Sequence, residues 1–340
     1  MGTILQSTPL LISLKESFPN AHLVFVSATK NKAILEEIKC IDQLLLVKDR
    51  SFFSGILSLL QILFLFWKKR PDLYFDLEVY SRFSTSLTAL SLARRRYGIR
   101  EGSDPMREAI YTYTADFLQQ PVISEAYLSL ASQAGAAKLH HQLIRFTGSE
   151  SAEFRQLSGP YLVVNPNASD LRLERRWPSK NYALLIGMLL DHAPEHTVVI
   201  SGSASERAHV QTVINEVDKK YANRILDASG QLSMKAFIAM IARCELMLTN
   251  DSGPMHLAMA LQIPFVALFG PGSPIHYAMP ARATVITKNI HCSPCVHLHP
   301  ESPCGGDNQC MKQITVPEVF EACRKHLQTA MRESQVLAMP

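Results

Sequence analysis

Short runs of consecutive apolar residues alternate with longer segments of mixed character, and the alternation is cleaner after Gly159 than before it. In the second half, Tyr161 to Asn165 (YLVVN), Thr197 to Ser201 (TVVIS), Arg224 to Leu226, Glu245 to Thr249 and Phe265 to Phe269 read as strands. Asn181 to His192 and Glu206 to Tyr221 read as helices, and further helices separate the later strands. Strands apolar on both faces, separated by helices, predict a parallel sheet covered on both sides. The first half is looser. An amphipathic segment from Pro9 to Ser17 leads through a turn at Phe18-Pro19-Asn20 to a strand at Leu23 to Ser27. A second strand, Leu73 to Leu77, follows the breaker Pro71-Asp72, and Thr85 to Arg96 reads as a helix with a basic end. A further helix starts at Ser124, between loops at Gln119 to Ile123 and Gly135 to Ala137. Polar Ser149 to Gly159 reads as a linker, so the expected division is residues 1–158, 159–316 and a C-terminal helix and tail at 317–340 that packs back on the first domain.

Gly55 to Trp67 (GILSLLQILFLFW) breaks this pattern by being apolar almost throughout. It is shorter than the roughly 20 residues a membrane-spanning helix needs. A buried core helix is the preferred reading; the alternative is a helix seated on a membrane surface, with Trp67 at the interface and Lys68-Lys69-Arg70 near anionic lipid.

Length and composition narrow the class. A chain of 340 residues exceeds one ordinary core and fits two domains or one large α/β unit, two domains with a cleft between them being the preferred reading. With 47% hydrophobic and 19% charged residues it is globular, and a net charge of +4 is too small for a dedicated nucleic-acid binder. The start lacks the basic segment and cleavage site of a secretory signal, which points to the cytoplasm, where seven cysteines would not form a disulfide framework.

In a parallel α/β sheet, ligands sit beyond the carboxyl ends of the strands. The residues to read for chemistry are therefore Asn165 to Ser169, Gly202 to Glu206 and Asn250 to Gly253. The last of these is the most informative. After Glu245 to Thr249, the turn Asn250-Asp251-Ser252-Gly253 opens a helix at Pro254. Ser252 and Gly253 permit close backbone approach, Pro254 suits a first turn, and the unpaired N–H groups and helix dipole favour a diphosphate. Asp251 opposes a phosphate by charge, so it is expected to cap the helix or accept a hydrogen bond from a sugar hydroxyl.

The longer string TNDSGPMHLAMALQIPFVALFGPGSP closely resembles the signature of glycosyltransferase family 9, the heptosyltransferase-like family. NPNASDLRLERRWPSKNYALL and SGSASE resemble further family segments in the expected order. The resemblance implies a GT-B architecture: two Rossmann-like doubly wound domains facing across a cleft, acceptor on the first and nucleotide-sugar donor on the second. Asn250, Asp251, Ser252, Gly253 and His256 are then expected around the diphosphate and adjoining sugar, with Arg175 offsetting the donor's charge at a position where relatives carry lysine. Ser169 would contact phosphate, Glu206 the ribose hydroxyls, and Leu232, Ser233 and Met234 the base. Trp177 reads as core packing.

Two departures qualify the resemblance. Family members begin with an apolar strand leading to a glycine and an aspartate; here the chain begins at that glycine, and Thr3 stands where relatives carry the acid. A missing central strand would expose apolar surface, so a late-annotated start or a truncated gene is expected. Threonine cannot take the acceptor proton, which leaves Asp76 as the proposed base and Glu78 as its neighbour. No Asp-x-Asp pair is present to hold a divalent ion, so the transfer is expected to need no cofactor.

Cys292, Cys295, Cys304 and Cys310, with His291, His297 and His299 nearby, read either as a structural zinc site or as a structural loop. The leading expectation is an inverting transfer of a sugar, by analogy heptose from ADP-heptose, onto a lipopolysaccharide-like or other cell-envelope acceptor. That implies a lipid-linked partner and a cytoplasmic protein in peripheral contact with the inner membrane face. Alternatives are a nucleotide-sugar epimerase of the same architecture and a nucleotide-sugar-binding protein with weak or no transferase activity.

Overall fold

The computed structural model describes residues 1–48, 51–119, 121–146, 159–168, 172–296 and 302–337, without the side chains of Phe52 and of residues 330–337. The expected linker lies largely outside the described residues, as do Ser169, His297 and His299. The chain divides into two compact units, one of Thr3–Ile144 with Ile275–Ala278 and one of Arg145–Pro274 with Met279–Pro340.

In the first unit the elements run α1 (Gly2–Ser17), β1 (Val24–Ala28), α2 (Lys32–Leu35), β2 (Gln43–Val47), α3 (Phe52–Lys69) and β3 (Leu73–Asp76). They continue with α4 (Arg82–Leu90), β4 (Arg95–Arg100), α5 (Pro105–Ile110), β5 (Tyr113–Asp116) and α6 (Ile123–Gln133). Among the described residues all pairing is parallel, in two separate sheets ordered β1-β2 and β3-β4-β5. Every residue of β1 and β2 keeps partial exposure despite apolar side chains.

Helix α1 is buried over most of its length and contains Pro9, which cannot donate to the Leu5 carbonyl. The Thr8 hydroxyl supplies that carbonyl with a donor at 2.6 Å, which is why the helix passes through the proline.

Two expectations for this unit are corrected. Thr85 to Arg96 is not one helix: α4 stops at Leu90, Leu92 turns with φ of 55°, and Arg95 begins β4. The arginines at its start hid the strand, whose buried part is only Tyr97, Gly98 and Ile99. Nor is the apolar segment a buried core helix. On α3, Ile62, Leu63 and Phe66 pack inward with Leu87, but Phe53, Leu57, Leu60 and Phe64 are exposed by 83%, 58%, 56% and 67%. Among the described residues no helix is long and apolar enough to cross a membrane.

The second unit runs β6 (Tyr161–Asn165), α7 (Ser179–His192), β7 (Thr197–Ile200), α8 (Arg207–Glu216), β8 (Ile225–Asp227), α9 (Met234–Arg243) and β9 (Leu246–Asn250). It ends with α10 (Gly253–Leu261), β10 (Phe265–Phe269), β11 (Ala283–Thr287), α11 (Gln309–Lys312) and α12 (Val316–Leu337). Among the described residues its six strands form one parallel sheet ordered β11-β10-β9-β6-β7-β8. Successive strands are added outward from β6 in one direction and then, from β9, in the other. That reversal makes the β6/β9 boundary the switch point of a doubly wound sheet. Strands β6, β9 and β10 are buried throughout. The C-terminal helix was expected on the first domain; instead Val319, Ala322, Cys323 and Leu327 of α12 are buried in the second unit's core with Leu185, Leu189 and Val266.

Candidate functional site

The ends of β6 and β9 are tied together by buried amides. Asn250 Nδ2 donates to the carbonyls of Pro166 and Asn167, both at 3.1 Å, and its Oδ1 accepts from the Tyr182 hydroxyl at 2.7 Å. Asn165 and Asn167 donate in turn to the Ser201 carbonyl at the end of β7, at 3.2 and 2.9 Å. Asn250 is therefore a scaffold: with no exposure and its amide fully engaged, it holds the turn that follows.

That turn opens α10 at the switch point. Ser252 is the N-cap, yet its side chain does not cap the first turn; its hydroxyl pairs instead with Thr249 Oγ1 at 3.1 Å. Gly253 and Pro254 follow as the first helical residues, so the helix end presents N–H groups and a positive dipole to an incoming anion.

Asp251 is 2% exposed. Arg175, on the short helical turn Leu173–Arg175, places its Nε 3.4 Å from Asp251 Oδ2 and Nη1 3.5 Å from the Asp251 carbonyl. The guanidinium compensates the charge of this buried carboxylate. Gly272 closes the other side, because a Cβ there would stand 2.1 Å from Asp251 Oδ2. His256, one helical turn into α10, is buried, and burial followed by nearby positive charge, including Arg175, lowers its pKa to about 3. It is a neutral imidazole at physiological pH.

The remaining expected donor residues flank this centre. The Glu206 carboxylate closes a capping box, accepting from the Ser203 N–H at 2.7 Å and the Ser203 hydroxyl at 2.8 Å. Ser233 caps α9 by accepting from the Ala236 N–H at 3.2 Å, with Leu232 and Met234 half-buried on either side. The two turns are joined where the Gly230 N–H donates to the Gly202 carbonyl at 2.9 Å. Trp177 is packed in the core, 1% exposed, and its indole N–H donates to the Ile314 carbonyl.

The cysteine-rich segment acts on the same centre. The Ser293 hydroxyl donates to the Gly270 carbonyl at 2.6 Å, and the Cys295 N–H donates to the Pro271 carbonyl at 2.9 Å, fixing the turn that carries Gly272. Asn308 Nδ2 donates to the carbonyls of Glu174 and Arg176, at 3.1 and 3.0 Å, bracketing Arg175. Cys292, Cys295, Cys304 and Cys310 are free thiols, and burial, followed by the neighbouring cysteines, raises the pKa of Cys295 and Cys310. Among the described residues no three His, Cys, Asp or Glu side chains form a group able to hold a metal ion.

In the first unit, Asp76 ends β3 and is 3% exposed. It accepts from the Tyr111 hydroxyl at 2.6 Å, the Ser84 hydroxyl at 2.9 Å and the Glu78 N–H at 3.1 Å. Burial pushes its carboxyl above the ordinary range, against the pull of those bonds. Glu78 is exposed, and desolvation followed by the charge of Asp76 raises its pKa as well. Buried Arg107 fastens this turn by donating to the Glu78 and Ser81 carbonyls at 3.0 and 3.2 Å. Thr3 is an exposed residue in the first turn of α1.

Residues 82–304 match the sequence model of Glycosyltransferase family 9 (heptosyltransferase). The chain belongs to glycosyltransferase family 9. A relative of this glycosyltransferase, lipooligosaccharide heptosyltransferase 2 of Campylobacter jejuni, is 22% identical over 330 residues, 96% of each chain. Among solved structures, E. coli ADP-heptose lipopolysaccharide heptosyltransferase II superposes with a TM-score of 0.75 at 22% identity, covering 97% of this chain and 96% of that one. An E. coli heptosyltransferase with ADP-2-deoxy-2-fluoro heptose gives a TM-score of 0.69 at 17% identity, covering 95% and 96%. The two parallel α/β units of this family 9 glycosyltransferase are thus those of a GT-B fold.

Proposed function

We propose that this glycosyltransferase moves heptose from ADP-heptose, with inversion, onto a lipopolysaccharide-type acceptor at the inner face of the cytoplasmic membrane. The observation that carries the donor half is the start of α10 at the β6/β9 switch point, which its N-cap Ser252 leaves uncovered, with Arg175 and Asp251 beside it. Helix N–H groups and the Arg175 guanidinium would take up the charge on the departing diphosphate, and neutral His256 would meet it as a hydrogen-bond partner. Ser169, Ser252 and Gly253 complete the proposed phosphate contacts, Glu206 those to ribose, and Leu232, Ser233 and Met234 those to the base. The heptose and the acceptor class are drawn from the relatives' names.

Proton removal from the acceptor falls to the Asp76–Glu78 pair. Asp76 has its oxygens engaged and little exposure, which suits positioning, whereas Glu78 is exposed with a raised pKa, which suits a base that accepts a proton. The cysteine-rich segment is proposed as a brace for Arg175 and Gly272; Cys292, Cys295, Cys304 and Cys310 do not form a ligand group as they stand, and a zinc ion would have to draw the four thiols together to add rigidity.

Titration calorimetry with ADP, ADP-heptose and UDP-sugars tests the reading. ADP-heptose should bind with ADP competing, and UDP-sugars should not. Silence towards all of them would overturn it.

A further inference from the structure

Helix α3 is apolar on two faces, and only one of them is used. The inner face packs Ile62, Leu63 and Phe66 against Val26, Leu45, Val47 and Tyr74. On the outer face Phe53, Leu57, Leu60, Phe64 and Trp67 follow one another at helical spacing, and all of them are exposed. The basic end of α3, Lys68 and Lys69 with Arg70 beyond it, is joined by a second basic group through the fold. Trp67 Nε1 donates to the Leu90 carbonyl at 2.8 Å, and the N–H groups of Arg94 and Arg95 donate to the Pro71 and Asp72 carbonyls at 3.4 and 3.1 Å. Leu90 and Leu92, 50% and 62% exposed, extend the apolar stripe into this basic corner, where Asp72 is the neighbouring acid.

We propose that the outer face of α3 is a membrane-seating surface for an anionic bilayer, with Phe53, Leu57, Leu60 and Phe64 entering the acyl boundary. Lys68, Lys69, Arg70, Arg94 and Arg95 then meet the headgroups, with Trp67 at the interface between the two zones. An apolar stripe ending in clustered cations and a tryptophan is the composition that lies in the plane of a charged bilayer, and a soluble partner would not require the cations. The choice of a bilayer rests on the acceptor reading given above. Seated this way, the enzyme would take its acceptor from the same surface that holds it.

Flotation of the full chain with phosphatidylglycerol/phosphatidylethanolamine vesicles and with pure phosphatidylcholine vesicles tests this. The protein should float with the anionic vesicles and bind phosphatidylcholine at least about tenfold more weakly, because the headgroup attraction is lost. Leu57→Gln/Leu60→Gln/Phe64→Gln should abolish flotation, and Lys68→Gln/Lys69→Gln/Arg70→Gln should lower it and remove its salt dependence. Calorimetry with ADP on the same proteins keeps the donor reading separate, because these variants should bind ADP as the parent does. Absence of flotation by the parent, or undiminished flotation by the triple glutamine variant of the stripe, would overturn the proposal. So would a parent dimer in sedimentation velocity that the stripe variant converts to monomer, since a second copy would then cover the face.

Discussion

Arg175 Nε lies 3.4 Å from Oδ2 of Asp251, and 76 residues of chain separate the partners. Both are largely buried, so the pair has limited solvent to soften the loss of one member. It sets the charge of the proposed donor loop: the carboxylate faces a cation, the neighbouring imidazole is neutral, and the α10 start supplies the positive field.

Removing Arg175 therefore does two things. Arg175→Ala removes a buried cation from beside Asp251 and from the proposed diphosphate site, and ADP affinity should fall by at least a hundredfold, about 3 kcal/mol. Arg175→Lys keeps the charge without the guanidinium fork and should retain part of the binding. Calorimetry on the two variants measures the difference; equal affinity in Arg175→Ala and the parent would remove Arg175 from the site.

Gly272→Ala probes the opposite wall. Its Cβ would occupy the space of Asp251 Oδ2, so the carboxylate must swing away from Arg175. ADP binding should weaken by about tenfold, on the scale of one lost charge-assisted hydrogen bond, with the far-ultraviolet circular dichroism unchanged.

The cysteine-rich brace has its own test. Asn308→Ala frees the carbonyls of Glu174 and Arg176, and its cost should appear in donor KM rather than in kcat. Elemental analysis of the protein without a histidine tag measures zinc; less than about half an equivalent removes the metal from the brace.

Between Asp76 and Glu78 the pH profile decides. Glu78→Gln should lower kcat by about a hundredfold or more and erase the acid limb of the profile. Asp76→Asn should lower turnover by about tenfold and keep that limb at a shifted position, with ADP affinity unaltered in both. A full rate for Glu78→Gln would take the base role away from it.

His256 makes stability depend on pH with a definite sign. Its folded pKa, about 3, lies below the unfolded value near 6.5, so the unfolded chain binds more protons between those values. Stability is fully present above pH 6.5 and is lost as pH falls towards 3. At pH 5 the loss is about 2 kcal/mol, from 1.4 kcal/mol per unit over the interval below 6.5. His256→Gln should show a smaller drop in Tm between pH 7 and pH 5 than the parent; identical drops would mean the imidazole is not neutralised by burial.

The second unit was largely legible in the sequence because its strands are buried on both faces, and burial on both faces writes itself as unbroken apolar runs such as YLVVN and TVVIS. The turn from β9 into α10 was legible for a related reason: a tight strand-to-helix turn restricts the residues at successive positions, so Asp251 to His256 carry a local pattern. The first unit was not. Its strands at Gln43–Val47, Arg95–Arg100 and Tyr113–Asp116 are short, part-exposed and polar at their ends, and periodicity cannot distinguish such segments from loops. Pairings between distant residues left no local trace either. Arg175 with Asp251, Gly272 against the same carboxylate, and Asn308 across Glu174 and Arg176 arise only when parallel strands bring their carboxyl ends to one edge. The apolar segment of α3 shows the division most plainly. Its composition established a helix short of spanning a bilayer; which face would be covered depended on what packed against it, and β1 to β3 cover only one.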